Sequence, residues 1–432
     1  MRTRLRCVTF AAVTAIVLGT APTARAQSLA AEIDKLSTAV EPELIEWRRH
    51  LHQNPELSNR EVETAKYVAE RLRSFGLEPQ TGVAKTGVVA LLKGGRPGPL
   101  VALRADMDAL PVREEANVPF ASKAMGEYEG NKVGVMHACG HDTHVAILLA
   151  TARVLSQMKE RLPGSVKFLF QPAEEGAPPE EEPAGAQQMV KEGVMQNVDA
   201  VFGLHVFANV PTGTITYRSG PFMAAADRFE IIVKGKQTHG SAPWRGVDPI
   251  VVGAQIVTAL QTIVARRVDP LESAVISVTQ FHSGTAENVI PDEAKLVGTV
   301  RTLIPAVQDL VEASMRRVVE TTAAAHDAVA EFTYRRGYPP TTNHAEQARR
   351  AARAAETVLG GRVHRDLPPV MGAEDFSFML LDRPGAYIKL GQAQGTKGAH
   401  EVHTVKYDFN DDLLPVGASF FATLVEQELP RG

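Results

Sequence analysis

Short apolar runs alternate with amphipathic stretches along this chain. Residues 28–53 carry a helical pattern that stops at Asn54-Pro55. Ser58 and Glu61 have the spacing of a capping box for a second helix, in which Val62, Ala65, Val68, Ala69 and Leu72 share one face and Gly76 marks the end. Apolar runs at 88–92, 100–103, 166–170 and 200–204 predict buried strands. Between the second and third, Asp142 or Thr143 can cap a helix that turns Val145, Leu148, Leu149, Ala152 and Leu155 inward and stops at Pro163-Gly164. Such alternation predicts an α/β fold, a central sheet flanked by helices.

From about residue 222 the pattern changes. A strand-like run at 228–234 precedes a helix opened by Asp248-Pro249, runs at 274–281 and 294–302, a helix from Pro305 to about Ala325 and a strand at 329–335. The order β-α-β-β-α-β is ferredoxin-like. It predicts an α+β domain over 222–337, inserted into a first domain made of 27–221 and 338–432. The α/β pattern resumes near Asn343, with a strand at 387–390 and a last helix from about Asp411. The Pro/Glu-rich stretch 177–184 reads as a solvated loop.

The first residues change where this fold is expected to work. Arginines at 2, 4 and 6, an apolar run over 8–18 and Ala24-Arg25-Ala26 before Gln27 have the layout of a cleaved secretory signal, residues 1–26. The run is short for a membrane span, no second long apolar run follows, and no cysteine beside the cleavage site could accept a lipid. The expectation is a periplasmic or secreted protein with no membrane anchor in its mature form. A mature chain of roughly 400 residues has room for two or more domains. Lys+Arg 46 against Asp+Glu 50, without an extended basic run in the mature part, gives no sign of nucleic acid or anionic lipid as partner. A small or neutral partner fits better.

Cys7 leaves with the leader, so Cys139 is the one cysteine of the mature chain and an internal disulfide is excluded. An intermolecular bridge, a buried thiol and a metal ligand remain. Cys139 sits within VGVMHACGHDTHVA, amid His137, His141, Asp142 and His144. In a turn just ahead of a helix, Cys139 and His141 can reach one centre, and a thiolate with an imidazole suits zinc and related divalent ions.

Other polar residues stand just past apolar runs, where strand ends of an open α/β sheet border a ligand crevice. Arg104, Asp106 and Asp108 follow the second run, Glu174 and Glu175 follow the third after Gln-Pro, and His205 follows Leu204. Glu175, His205 and His403 are candidates to complete a pair of metal sites. Glutamate pairs usually lie in solvent, but at a strand end one carboxylate can bind metal while its neighbour takes a proton from water.

The motifs RRHLHQNPELS, LRADMDALP, MHACGHDTH, FQPAEEG, GLHV, THGSAPWRGVDPI, SGTAENVIP, GTVRTL, MGAEDFSF and HTVKYDFND occur in this order along the mature chain. In them the chain resembles the amidohydrolase branch of the dinuclear metallo-aminoacylase and carboxypeptidase superfamily, which includes hippurate hydrolases, auxin-conjugate hydrolases and N-acyl-diaminopimelate deacetylases. The resemblance implies a zinc-exopeptidase-like mixed sheet. It also implies two divalent ions on Cys139, His141, Glu175, His205 and His403, with Cys139 bridging and Glu174 as general base. The thiolate favours zinc, with manganese, cobalt or nickel as alternatives.

By the same resemblance His239 stabilises the oxyanion, in its own or a neighbouring subunit, although a lone histidine at a strand end is more often a surface residue. Asp106 and Asp142 are candidates to orient ligand imidazoles, with a capping or surface role open for Asp142. Asn288 and Arg301 are candidates to grip a substrate carboxylate, against the plainer reading of a turn residue and a strand-surface charge. His137 and His144 read as structural, or as supports to the ligands, rather than as ligands themselves, and Glu374 lies in a matched motif without an assigned role. The implied reaction is hydrolysis of the amide of an N-acyl amino acid. An exported carboxypeptidase or dipeptidase acting on short peptides, and a non-catalytic metal- or ligand-binding protein on the same scaffold, are the alternatives. A monomer and a homodimer through the inserted domain both remain open.

Overall fold

The computed structural model describes residues 21–365 and 367–429. Most of the expected leader, residues 1–20, lies outside the described residues. The single helix expected over 28–53 is in fact two, α1 (Ala21–Ala39) and α2 (Glu41–Gln53). The break falls at Pro42, which has no N–H to continue the ladder of α1 but is well placed in the first turn of α2.

Helix α3 (Val62–Ser74) buries Ala65, Val68, Ala69 and Leu72, whereas Val62 is exposed. The expected capping box is absent. Ser58 donates to Asp108 at 2.6 Å, and Glu61 accepts from the Thr86 hydroxyl at 2.6 Å and the Ala173 N–H at 2.8 Å. Tertiary partners have taken both side chains. Glu56 instead receives the Glu63 and Thr64 N–H groups of the first turn, at 3.3 and 2.8 Å.

The strands of the main sheet before residue 222 are β1 (Gln80–Val83), β2 (Gly87–Lys93), β3 (Arg96–Asp106), β4 (Pro163–Gln171), β5 (Ala200–Pro211) and β6 (Ile215–Tyr217). The chain then leaves for β7 (Ala225–Lys234), β8 (Ala274–Ser283), β9 (Glu293–Thr302) and β10 (Val329–Tyr338), and returns with β11 (Val363–Arg365) and β12 (Gly385–Ala393). The main sheet runs β1-β2-β4-β3-β5-β12-β6-β11 and is mixed: β3, β4, β5 and β12 are parallel, while β1, β2 and β6 enter antiparallel contacts.

Alternation sorts its two faces. Val101, Leu103, Phe202, Leu204, Ile388 and Leu390 pack toward helices α4 (His141–Met158) and α7 (Leu414–Glu428). Ala102, Leu169, Val201 and Tyr387 face the other way, with Phe376 and Met379. Helix α4 is buried around its whole circumference from His141 to Ala152, so its inward set is wider than the one face expected. Neither Asp142 nor Thr143 caps it. Its N-cap is Gly140, at φ +91°, where an added Cβ would lie 2.5 Å from Val206 and 2.6 Å from the Tyr407 hydroxyl.

The excursion forms a four-stranded antiparallel sheet, β8-β9-β7-β10, with the expected β-α-β-β-α-β order. Helices α5 (Pro249–Arg266) and α6 (Pro305–Ala324) cover one face, and Phe229, Ile231, Val233 and Leu296 meet Val252, Ile256, Leu260, Val311 and Met315 in a separate core. Asp248 caps α5 by accepting from the Ile250 and Val251 N–H groups. This helix is long and apolar enough to cross a membrane, but its residues Val252, Ile256, Leu260 and Ile263 are buried against the small sheet.

Arg48 ties α2 to α4 and to the C-terminal segment. Its buried guanidinium meets Asp142 at 2.8 Å, Asp408 at 2.9 Å and Asp411 at 3.3 Å. His52, one turn on, bridges Asp142 at 2.9 Å and Glu114 at 3.1 Å. Burial alone would raise the Asp142 pKa, but Arg48 and His52 hold it well below the carboxylate range. Arg48→Met leaves buried Asp142 with His52 alone and Asp411 with Arg49 alone, with an expected loss of about 3–5 kcal/mol in urea unfolding at pH 7. Because the folded-state pKa of Asp142 is depressed, its stabilisation is full above the ordinary carboxylate range and is lost progressively as pH falls from that range toward the folded value. The gap between wild type and variant should therefore narrow in acid. A gap that is small at pH 7, or equal at pH 3, contradicts this account.

Candidate metal centre

The parallel strands end at different heights, and the step between them opens the site. Pairing of β3 with β5 stops at Arg104 opposite Gly203, while β5 continues beside β12. His205 thus lies inside a strand rather than past its end, yet its edge toward β3 is free. The first turn of α4 sits there and brings Cys139, just before the helix, and His141, at its start, to the same place.

Cys139 Sγ lies 3.3 Å from His205 Nε2 and 3.2 Å from His403 Nε2. His403 Nε2 is 3.4 Å from Glu175 Oε1, and His141 Nε2 is 3.8 Å from the same oxygen. Cys139, His141, Glu175, His205 and His403 are therefore brought together, in overlapping groups whose ligand atoms lie within 4.8 Å of one another. His403 comes from a distant loop, held by its N–H on the Ala138 carbonyl at 2.7 Å. Its side chain is about half exposed and the other four are largely buried.

His141 and His205 each have one ring nitrogen occupied and the other facing the cluster. His141 Nδ1 donates to the Asp108 carbonyl at 2.9 Å, with Asp108 Oδ1 at 3.2 Å, and its buried Nε2 has no hydrogen-bond partner. His205 Nδ1 donates to the Val206 carbonyl at 2.6 Å. His144 is different: Nδ1 meets Asp106 at 2.6 Å and Nε2 accepts the Val206 N–H at 3.0 Å, so neither nitrogen is left for a ligand bond. His137 is buried with both ring nitrogens unpartnered, and burial lowers its pKa to about 4.

Two expectations about orienting carboxylates change. Asp106 engages His144 and Arg104, and lies 3.8 Å from His141 Nε2. Asp142 points to Arg48 and His52, because consecutive helical residues are turned about 100° apart and His141 already faces the cluster. Asp108 is the carboxylate that orients His141. It also accepts from Ser58 and, at 3.0 Å, from the Glu175 N–H. The alternation of Asp106 and Asp108 at a strand end was the available sequence signal, since side chains two apart share a side.

The donor set suits a divalent cation. Burial pushes the Cys139 thiol and the Glu174 carboxyl well up, with neighbouring carboxylates adding to both, and burial brings Glu175 up to about 7. Burial would lower His141, but Asp106, Asp108 and Glu175 raise it to about 10. Among the described residues, no arginine or lysine pairs with the Glu174 or Glu175 carboxyl; their basic neighbours are the imidazoles of His141 and His403. The unpartnered atoms His141 Nε2 and Glu175 Oε1 face the same space. Sulfur, nitrogen and carboxylate donors together match zinc and its first-row relatives.

Glu174 stands beside this set, with Oε2 3.9 Å from His141 Nε2. Its carbonyl accepts the Tyr338 hydroxyl at 2.7 Å, a bond from the end of β10 in the small sheet. Arg104, fully buried, answers the acidic side of the site, meeting Asp106 at 2.7 Å, Glu374 at 2.9 Å and Asp375 at 3.0 Å. Glu374 also takes the Tyr387 hydroxyl.

His239, Asn288 and Arg301 belong to the small sheet and its ribbon. His239 is exposed in a two-residue strand opposite Val289, with Nδ1 accepting from Ser241, and Gly240 donates to the Asn288 carbonyl at 2.7 Å. Arg301 is half-buried on β9 and donates to the Val300 carbonyl and to Thr299. Among the described residues, no hydrogen bond or ion pair joins these three to the Cys139 cluster.

Residues 102–427 match the model of Peptidase family M20/M25/M40. Thermostable carboxypeptidase 2 of Saccharolobus solfataricus is 42% identical over 391 residues, 89% of this chain and 95% of that protein. The N-acyl-L-amino acid amidohydrolase of Geobacillus stearothermophilus is 48% identical over 315 residues, 73% of this chain and 82% of that protein. The crystal structure of the Bacillus subtilis YXEP protein, described as a dinuclear metal binding peptidase from the M20 family, matches with a TM-score of 0.77 and 39% identity, covering 91% of this chain and 99% of that one. The resemblance read from the ordered motifs thus extends over nearly the whole described fold, and the chain belongs to peptidase family M20/M25/M40, as a metal-dependent hydrolase.

Proposed function

We propose that this protein hydrolyses the amide bond of N-acyl amino acids, releasing a carboxylic acid and a free amino acid. The observation that carries the reading is Glu174 held beside five convergent ligand side chains without being needed among them. Cys139, His141, Glu175, His205 and His403 would hold two divalent ions, and zinc is the best match to the Cys139 thiolate. Bound there, the ions would supply Lewis acidity to the amide carbonyl and acidify water.

The chain's own part in the reaction is proton transfer and positioning. Glu174 takes the proton of the attacking water and returns it to the leaving nitrogen, a task suited to a buried carboxyl whose pKa is raised by burial. Asp108 fixes the tautomer of His141. His239 would meet the developing oxyanion, and Asn288 and Arg301 the substrate carboxylate, once the small sheet presents them to the crevice. The leader would export the enzyme to the periplasm or medium, where it would act on external acyl amino acids, as a monomer or a homodimer through residues 222–337.

A second reading, trimming of short peptides, draws support from the similarity to Thermostable carboxypeptidase 2. Acetyl- and benzoyl-amino acids assayed beside dipeptides separate the two, and preferential turnover of the dipeptides would replace the first reading.

Glu174→Gln should retain metal and fold while kcat falls by about 10²–10⁴-fold; activity within a few-fold of wild type would remove Glu174 from its role. Chelation should abolish turnover and lower the melting temperature, and added zinc or manganese should restore both. Asp108→Asn should weaken metal affinity by roughly 10–100-fold in competition with a chromogenic chelator, whereas Asp142→Asn should leave it within a few-fold. Equal effects of the two would contradict the orientation assigned to Asp108.

A further inference from the structure

Lys389 is a buried cation that the reaction described so far does not use. It lies in β12 two residues after Tyr387, so both side chains emerge on one face of the sheet. Its register partner on the parallel strand β5 is His205, which places Lys389 on the face that carries a member of the metal-ligand cluster. The residue is 6 % exposed. Its Nζ lies 4.3 Å from the ring centre of Phe207 and 4.7 Å from that of Phe222.

The contrast with the other buried cations is specific. Arg48 and Arg104 each meet three carboxylates. Among the described residues, Lys389 Nζ has no carboxylate, carbonyl or hydroxyl within hydrogen-bond distance. Burial lowers its pKa to about 8, so the ammonium is still mostly charged at pH 7. Aromatic faces steady a cation without satisfying its N–H donors, and an ammonium has three of them. A group that remains charged, walled by rings and on the sheet face that carries His205 has its donors free for an anion brought by the substrate.

We propose that Lys389 is a specificity residue that binds a second carboxylate of the substrate, beyond the α-carboxylate common to all N-acyl amino acids. This rests on the amide-hydrolase reading above. The second carboxylate can sit on the amino acid side chain or at the far end of the acyl group. Both present the same anion to Nζ, and Phe207 and Phe222 would line the methylenes leading to it.

The test is steady-state kinetics of the metal-loaded full chain on N-acetyl-L-glutamate and N-succinyl-L-methionine, beside counterparts with an uncharged group in place of the second carboxylate, N-acetyl-L-glutamine and N-acetyl-L-methionine (the neutral pair). Wild type should favour at least one dicarboxylate over its counterpart. In Lys389→Met, KM for that substrate should rise by about ten- to hundredfold, the worth of a hydrogen bond to a charged group, while the neutral pair changes less than about threefold. The substrate that loses affinity identifies which side of the scissile amide faces Lys389. Lys389→Gln, run in parallel, should lose the same discrimination and serves if the methionine variant does not fold.

A wild-type enzyme that handles both members of the neutral pair at least as well as the dicarboxylates overturns the proposal without any variant. An equal change across all four substrates in the variants overturns it too, by assigning Lys389 a structural role. Turnover of none of the four by wild type points elsewhere: it withdraws the amide-hydrolase reading and Lys389's role with it.

Discussion

The first turn of α4 has to serve two incompatible environments at once, and the rest of the architecture is arranged around that constraint. His141 and Asp142 are neighbours in sequence and both fully buried, yet one belongs to a cluster that wants a cation and the other to a carboxylate group that already has one. The helical rotation between consecutive residues separates them. With Arg48 neutralising Asp142 from behind, the acidic charge in front is left for the ligand cluster. Gly140 permits the sharp entry, since the packing of Val206 and Tyr407 leaves no room for a side chain there.

Charge is distributed over the interior in the same spirit. Behind α4, Arg48 is shared by Asp142, Asp408 and Asp411; on the opposite face of the sheet, Arg104 is shared by Asp106, Glu374 and Asp375. Glu174 and Glu175 have no such arginine. Their carboxyl pKa values are raised where Asp142's is depressed, although all three are buried. At Asp142 the flanking cations outweigh burial; at Asp375, 3.0 Å from Arg104, burial wins and the pKa is raised as well.

Much of this could be read from the chain because period and punctuation act locally. The runs at 88–92, 100–103, 166–170 and 200–204 became strands, and the order of elements in the excursion was visible from turn residues and alternation. The capping box failed for the opposite reason. Ser58 and Glu61 satisfy a local rule, but Asp108, Thr86 and Ala173 arrive from elsewhere and bind them more fully. The donors Cys139, His141, Glu175, His205 and His403 were legible as types at strand ends and turns. Which carboxylate orients which imidazole was not, because Asp106, Asp108 and Asp142 differ only in the direction they face. Lys389 carried no signal at all: one lysine in an apolar run looks like a strand-edge charge until the register sets it opposite His205.

The hydrogen bond from Tyr338 to the Glu174 carbonyl spans the two cores. Tyr338 is the last residue of β10, and Glu174 sits on the strand-end loop that follows β4. A rotation of the small sheet about this point must either carry the Glu174 peptide with it or break the bond. Glu174 is thus not mounted on the large sheet alone: it is also tethered to the sheet that bears Arg301. If Glu174 and the residues of the small sheet act as proposed, the delivery of those residues and the placement of the Glu174 carboxyl are two readings of a single mechanical coordinate.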